Sequence, residues 1–193
     1  MTQYPVANPK VLQRARDVFK LNPIFLDTET TGTGPGDRII EVGVVDREGN
    51  TLFESLVNPG MPIPVESSAV NGITDLDVKD EPQWDVVWPQ VEPLLRGRVI
   101  GIYNADFDMR LLRQTCLANQ LPWTLADNQS FCMMKLFAAY YGEWNSRYNG
   151  FKAQKLEFAG RLCGLSEQNT HHAADDARLT AELLRYLANL PIK

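Results

Sequence analysis

The order of apolar and polar positions gives the chain a β-rich first part and a mixed remainder. A helical period over Pro9–Phe19 is broken by Asn22-Pro23, after which Ile24-Phe25-Leu26 reads as a strand. Ile39–Val45 and Thr51–Val57 are also β-rich, and Asp46-Arg47-Glu48-Gly49-Asn50 between them has the chemistry of a hairpin turn. A proline-punctuated loop, Asn58–Pro64, leads to a short helix over Glu66–Asn71 that ends at Gly72. Pro82 starts a helix over Glu81–Leu95. Arg98–Tyr103 predicts a buried strand. Phe107, Leu111 and Leu112 share one side of a helix over Asp106–Asn119. Helices are also predicted at Met133–Tyr141, at Gln154–Cys163, stopped by Gly164, and at Ala173–Leu190. A strand meander followed by alternating strands and helices predicts an α/β sandwich around a mixed sheet.

The first strand runs straight into Asp27-Thr28-Glu29-Thr30-Thr31-Gly32. Alternate strand residues share a face, so Asp27 and Glu29 point the same way. Adjacent carboxylates raise one another's pKa unless a cation lies between them, and a divalent metal with hard oxygen ligands meets that need. Thr30-Thr31-Gly32 predicts a tight turn whose hydroxyls and backbone N–H groups face a substrate. A second cluster, Asn104-Ala105-Asp106-Phe107-Asp108, follows the Arg98–Tyr103 strand, and a third, His171-His172-Ala173-Ala174-Asp175-Asp176, opens the last helix. Each cluster places acids at the end of an element, where side chains can converge on one cleft, and four carboxylates from three separated segments can coordinate two divalent cations.

Composition narrows the partners. The 193 residues fit one domain. No apolar run approaches membrane-spanning length and Met1–Lys20 has no apolar signal core, so no membrane partner is expected. Cys116, Cys132 and Cys163 are far apart and odd in number; they fit neither a disulfide framework nor a zinc pattern and favour a reducing cytoplasm. A net charge of −5 argues against a broad basic grip on duplex nucleic acid. It leaves room for a nucleic-acid enzyme, because metal ions neutralise a carboxylate-rich site and a single strand needs only a local groove.

Taken together, the three clusters resemble the motifs of the DEDDh, or DnaQ-like, 3′–5′ exonucleases, the group that includes the proofreading epsilon subunit of bacterial DNA polymerase III. Order and approximate separation agree over about Ile24–Leu190. The resemblance implies a ribonuclease-H-like fold with a mixed five-stranded sheet flanked by helices. It also implies two-metal phosphodiester hydrolysis with two Mg²⁺ or Mn²⁺ ions at Asp27, Glu29, Asp108 and Asp176. The general base of the family's histidine branch lies five residues before the last Asp, which is His171; the position used by the tyrosine branch is His172, given a packing or polar role here. Thr30, Thr31, Gly32, Glu66, Asn71 and Asn104 are the substrate-binding candidates. Two positions depart from the epsilon-like pattern: Tyr103 stands where His-Asn-Ala commonly begins, and Asn71-Gly72-Ile73 stands where the family has His-Gly-Ile.

The implied substrate is single-stranded DNA or a DNA 3′ end, with release of nucleoside 5′-monophosphates. An exoribonuclease like RNase T or oligoribonuclease is the alternative in class, and a non-catalytic polymerase-partner module the alternative outside it. Residues 1–22 are expected to form an N-terminal helical extension and 23–193 the exonuclease domain. The short segment after the last motif favours a stand-alone monomer, with no polymerase partner evident, over a replicase subunit. Alone, each acid would be a solvated strand-end or helix-end carboxylate, the reading kept for Asp106 and Asp175. The tryptophans are structural by default. Arg147, Lys152, Lys155 and Arg161, interleaved with Tyr148 and Phe151, form either a solvated face or a groove that tracks a nucleic-acid backbone.

Overall fold

The computed structural model describes residues 8–126, 129–147, 149–166 and 170–192. A five-stranded sheet has the order β3-β2-β1-β4-β5, from β1 (Ile24–Thr30), β2 (Ile39–Asp46), β3 (Thr51–Leu56), β4 (Ile100–Ile102) and β5 (Ser130–Cys132). β1, β2 and β3 form an antiparallel meander, and β4 and β5 run parallel to β1, so the sheet is mixed. The helices are α1 (Pro9–Lys20), α2 (Val65–Asn71), α3 (Asp75–Val78), α4 (Trp84–Leu95), α5 (Ala105–Ala118), α6 (Met133–Tyr141), α7 (Leu156–Cys163) and α8 (Ala173–Asn189).

Strand alternation sorts the side chains into two layers. Phe25 and Val45 join the core under α1, α6, α7 and α8, where Leu179, Leu183, Leu184 and Leu187 give α8 its apolar stripe. Ile24, Leu26, Val42 and Val44 face the opposite core with Trp84, Trp88, Leu111 and Leu112 from α4 and α5. In that second core the rings of Trp84, Trp88 and Trp123 stack in series at centroid distances of 5.6 and 5.8 Å. Gly101 sits in β4 between Phe25 and Phe131, whose rings meet edge-on at 6.2 Å. A Cβ at Gly101 would lie 2.5 Å from the Phe25 ring, so a side chain there would drive the two rings apart.

The N-terminal helix is built into the first core. Asn8 caps it by accepting from the Lys10 backbone N–H, and Pro9 takes the first turn, where its missing N–H costs nothing. Leu12 and Ala15 are fully buried, and Arg16 donates to the carbonyls of Ala188 and Leu190 at the end of α8. Arg16 therefore holds the two terminal helices together.

Several boundaries differ from the periodicity. α4 begins at Trp84 rather than Glu81, and β4 keeps only the centre of Arg98–Tyr103. Four elements lack a counterpart in the sequence reading: β5, the four-residue α3, and the two strands of a ribbon, β6 (Trp144–Asn145) and β7 (Gly150–Phe151). Tyr148, named with the basic stretch, lies outside the described residues.

Candidate active site

The site forms where the C-terminal end of β1 meets the N-termini of α5 and α8. Asp27 and Glu29 continue the Phe25 side of β1 and so face α8. Thr28 faces the other way, towards α5, and its hydroxyl donates to Asp108 Oδ1 at 2.8 Å. Asp108 stands in the first turn of α5 and is 3% exposed; Asp176 stands in the first turn of α8 and is 5% exposed. Both positions suit a carboxylate, because the amide ends of a helix favour negative charge. The Thr170 backbone N–H donates to Asp176 Oδ1 at 3.1 Å.

Ligand-capable atoms of Glu29, His171 and Asp176 lie within 4.8 Å of one another. His171 has a φ of +59°, a left-handed conformation that non-glycine residues rarely adopt and that recurs where function fixes the backbone. The two neighbouring histidines part company here. His171 joins Glu29 and Asp176, while His172 Nδ1 is 3.5 Å from Glu41 Oε1.

Protonation follows from crowding. Burial, then the carboxylates of Asp108, Asp176 and Glu29, push Asp27 well above the usual range. Burial and Asp176 push Glu29 up to about 8, against a smaller opposing effect of the hydrogen bond from Asn71. Burial raises Asp108 despite the Thr28 hydroxyl, and raises Asp176 to about 6 despite the Thr170 amide and His171. Burial is the largest influence on all four acids; neighbouring carboxylates come next at Asp27 and Glu29, and opposing hydrogen bonds come next at Asp108 and Asp176.

A pocket of about 530 Å³ opens beside these acids, lined by residues 28–33, Asp37, Pro64, Glu66, Ser67, Val70, Asn71 and Phe107. It contains Thr30, Thr31, Gly32, Glu66 and Asn71 of the substrate candidates; Asn104 is outside its lining, exposed at the start of α5. Asn71 is 6% exposed and braces Glu29. Ser67 from the same helix donates to the Thr30 carbonyl, so α2 fastens the end of β1. The expectation of free threonine hydroxyls at the turn is corrected. The Thr30 hydroxyl donates to the Gly32 carbonyl and the Thr31 hydroxyl to Asp37 Oδ1, each at 2.8 Å, and Thr31 is 1% exposed. These hydroxyls shape the loop rather than offer themselves to a ligand. Asp106 is solvated as expected, its side chain 77% exposed and paired with Lys135, while Asp175 is half-buried and paired with Arg178. A larger groove of about 610 Å³ beside α5 holds Arg110, Arg113 and Trp123 and none of the four acids.

Glu41 is the residue that sequence reasoning missed. It lies directly across from Glu29 in the β1–β2 register and is 5% exposed. Its Oε2 accepts the Ala173 backbone N–H at 2.8 Å, which anchors the first turn of α8 beside His171. Two residues along the same face of β2, Gly43 pairs with Asp27, and a Cβ there would lie 2.5 Å from the carbonyl carbon of Ala173 and from Ala174 Cα. The signal was in the sequence: an acid and a glycine two apart within an otherwise apolar strand, both on the α8 side.

The chain is similar to known nucleases in both sequence and fold. The family described as Exonuclease (RNase_T) matches residues 24–184. An uncharacterized exonuclease, CP81, of Escherichia phage 186 is 37% identical over 95% of this chain and 96% of its own length. The DNA polymerase III subunit epsilon of Treponema pallidum is 32% identical over 81% of this chain and 72% of its own. A DNA polymerase III subunit epsilon-like protein of Rhodobacter capsulatus is 39% identical over 89% of this chain, which spans only 24% of that protein. Among solved structures, E. coli Exonuclease I in complex with a dT13 oligonucleotide superimposes with a TM-score of 0.67 at 20% identity over 82% of this chain and 39% of its own. The nuclease domain of 3′hExo, a DEDDh family member bound to rAMP, superimposes with a TM-score of 0.66 at 17% identity over 84% of this chain and 89% of its own. With its ribonuclease-H-like sheet and the match over residues 24–184, the chain belongs to the DnaQ-like exonuclease family.

Proposed function

We propose that the protein is a 3′–5′ exonuclease that shortens single-stranded DNA and releases nucleoside 5′-monophosphates. The observation that carries this reading is the convergence of Glu29, Asp176 and His171, with Asp27 and Asp108 electrostatically linked to them, at the edge of a pocket of about 530 Å³. That volume suits a single small ligand such as one nucleotide.

The donor set fits divalent metal. Asp27, Glu29, Asp108 and Asp176 offer hard oxygen atoms, and their raised pKa values record negative charge crowded into a buried site. Two Mg²⁺ or Mn²⁺ ions held by these acids would neutralise them and stabilise the charge that develops on the scissile phosphate.

The remaining work falls to the chain. His171, held on the α8 side of the acids, would take the proton of the attacking water as general base. Thr28 fixes Asp108, Asn71 fixes Glu29 and Glu41 fixes the start of α8, so the reacting groups are positioned before substrate arrives. Thr30, Thr31 and Gly32 would form the wall against which the terminal nucleotide rests, with Glu66 and Phe107 on the rim of the pocket and Asn104 beyond it. The catalytic unit is residues 23–193, with α1 packed on it as an N-terminal extension.

Relatives support the substrate class: E. coli Exonuclease I is seen with dT13, and Exonuclease X, 25% identical with a TM-score of 0.63 over 86% of this chain and 90% of its own, with 5′ overhanging duplex DNA. An exoribonuclease is the second reading, favoured by the rAMP in 3′hExo. A 5′-labelled oligothymidylate with Mg²⁺ or Mn²⁺ should shorten stepwise, and a 3′ label should leave as mononucleotide. EDTA should stop both. A 5′ label leaving first, or turnover in EDTA, would overturn the reading. Faster cleavage of the matching RNA would select the second.

A further inference from the structure

The β6–β7 ribbon carries two large apolar side chains that the fold leaves in solvent. Trp144 is 53% exposed and Phe151 is 43% exposed. They pair across the ribbon, with ring centroids 5.2 Å apart and planes at 86°. An edge-on contact of this kind fixes both rings while leaving ring faces open.

Three contacts tie the ribbon, through α6 and Tyr103, to the segment that carries Asp108. Phe151 and Ala153 close over Met134, Lys135 and Ala138 of α6 around a cavity of about 220 Å³. From that cavity Lys135 Nζ reaches Asp106 Oδ2 at 2.6 Å, two residues before Asp108. Where the chain leaves β7, the Tyr103 hydroxyl donates to the Gln154 carbonyl at 3.0 Å, and Tyr103 directly precedes the segment that carries Asp108. The aromatic pair thus stands on the active-site edge of the sheet, where β4 and β5 end.

Charge indicates the kind of occupant. In a protein of net charge −5, the segment between Glu143 and Glu157 holds Arg147, Lys152 and Lys155 and no acid. Lys152 is bonded to Glu143 at 3.0 Å, which moderates the local field. Aromatic faces beside cations next to a phosphodiester-cleaving centre match a polyanion with flat apolar bases. A duplex offers only the outer face of its terminal pair, whereas a single strand can offer the faces of successive bases.

We propose that the β6–β7 ribbon is a stacking platform for the nucleobases of single-stranded DNA that lie 5′ to the nucleotide in the catalytic pocket. The proposal rests on the exonuclease reading above. It extends the site by a second region that binds substrate without touching the reacting bond.

The test compares the full-length protein with a Trp144→Ala/Phe151→Ala variant on two substrates: an oligothymidylate of about ten nucleotides and the nitrophenyl ester of thymidine 5′-monophosphate, too short to reach the ribbon. KM for the oligonucleotide should rise by roughly fivefold or more, the loss expected for one stacked base. Turnover of the ester should stay unchanged, and Trp144→Phe should restore the oligonucleotide KM to near the wild-type value. An unchanged oligonucleotide KM, or an equal loss on the ester, would overturn the platform. Binding without turnover separates this from the function itself. In EDTA the oligonucleotide should quench tryptophan fluorescence in the wild type and leave it unquenched in Trp144→Phe, even if neither substrate is hydrolysed. Quenching that persists in Trp144→Phe, or none in the wild type, would sink the platform while leaving the exonuclease reading intact.

Discussion

Gly43→Ala should uncouple α8 from the sheet and damage catalysis more than folding. The added Cβ would lie 2.5 Å from the Ala173 carbonyl carbon and from Ala174 Cα, and both are backbone atoms that no rotamer change can move aside. Carbon atoms pack at roughly 3.5–4 Å, so the first turn of α8 must retreat by about 1 Å. Overpacking of this kind costs roughly 1–3 kcal/mol, a fall in Tm on the order of 2–12 °C for a chain this long. The retreat carries His171 and Asp176 away from Asp27, which pairs with Gly43, and from Glu29. A displacement of about 1 Å at reacting groups costs on the order of 100-fold in rate. The assay is kcat on a labelled single strand beside thermal unfolding, with Gly36→Ala as the control because a Cβ there meets nothing within 4 Å. Wild-type kcat and Tm in Gly43→Ala would refute the reasoning that this glycine sets the height of α8 over the acids.

Three further outcomes follow from the same geometry. Thr28→Val leaves Asp108 without its buried hydroxyl partner and should cost about 1–3 kcal/mol in stability, seen as a lower urea midpoint, together with a fall in kcat. Glu41→Ala strips the Ala173 N–H of its acceptor and should destabilise by a similar ~1–3 kcal/mol while lowering kcat, whereas Glu41→Gln, which still accepts, should retain most of both. In EDTA the protein should lose stability as pH rises. Glu29 holds its proton to about pH 8 when folded but releases it near 4.5 when unfolded, so the native state binds more protons between those values and each step up in pH favours unfolding. Mn²⁺ should reverse the trend, with the largest rise in Tm at the alkaline end; a flat Tm in EDTA from pH 5 to about 8 would contradict it.

The acids were legible because their signal is local. Asp27 and Glu29 share a strand face by simple alternation, while Asp108 and Asp176 each open a helix beside a second acid, and the family's motif spacing singled them out from Asp106 and Asp175. The longer elements were legible for the same reason, since Ala173–Asn189 repeats its leucines at helical spacing. The missed pieces depend on partners far along the chain. β5 is three half-buried residues, Ser-Phe-Cys, whose strand character comes from pairing with β4 rather than from any alternation. β6 and β7 have two residues each, below the length at which a period of two can be read. Glu41 looked like one polar residue in an apolar run until the register set it opposite Glu29. The turn threonines misled because hydroxyls that suit a ligand suit a loop equally well, and Asp37 and the Gly32 carbonyl accept their hydrogen bonds.

The central claim, that these convergent acids form the catalytic metal centre, is tested most directly by Asp27→Asn turnover of a single-stranded oligonucleotide in Mn²⁺. The substitution keeps the side-chain volume and removes a charge that burial and the neighbouring carboxylates penalise, so the metal-free variant should be at least as stable as the wild type. Its kcat should nonetheless fall by roughly 1000-fold or more, about 4 kcal/mol of transition-state stabilisation. Turnover within about tenfold of wild type by a folded Asp27→Asn protein would contradict the account.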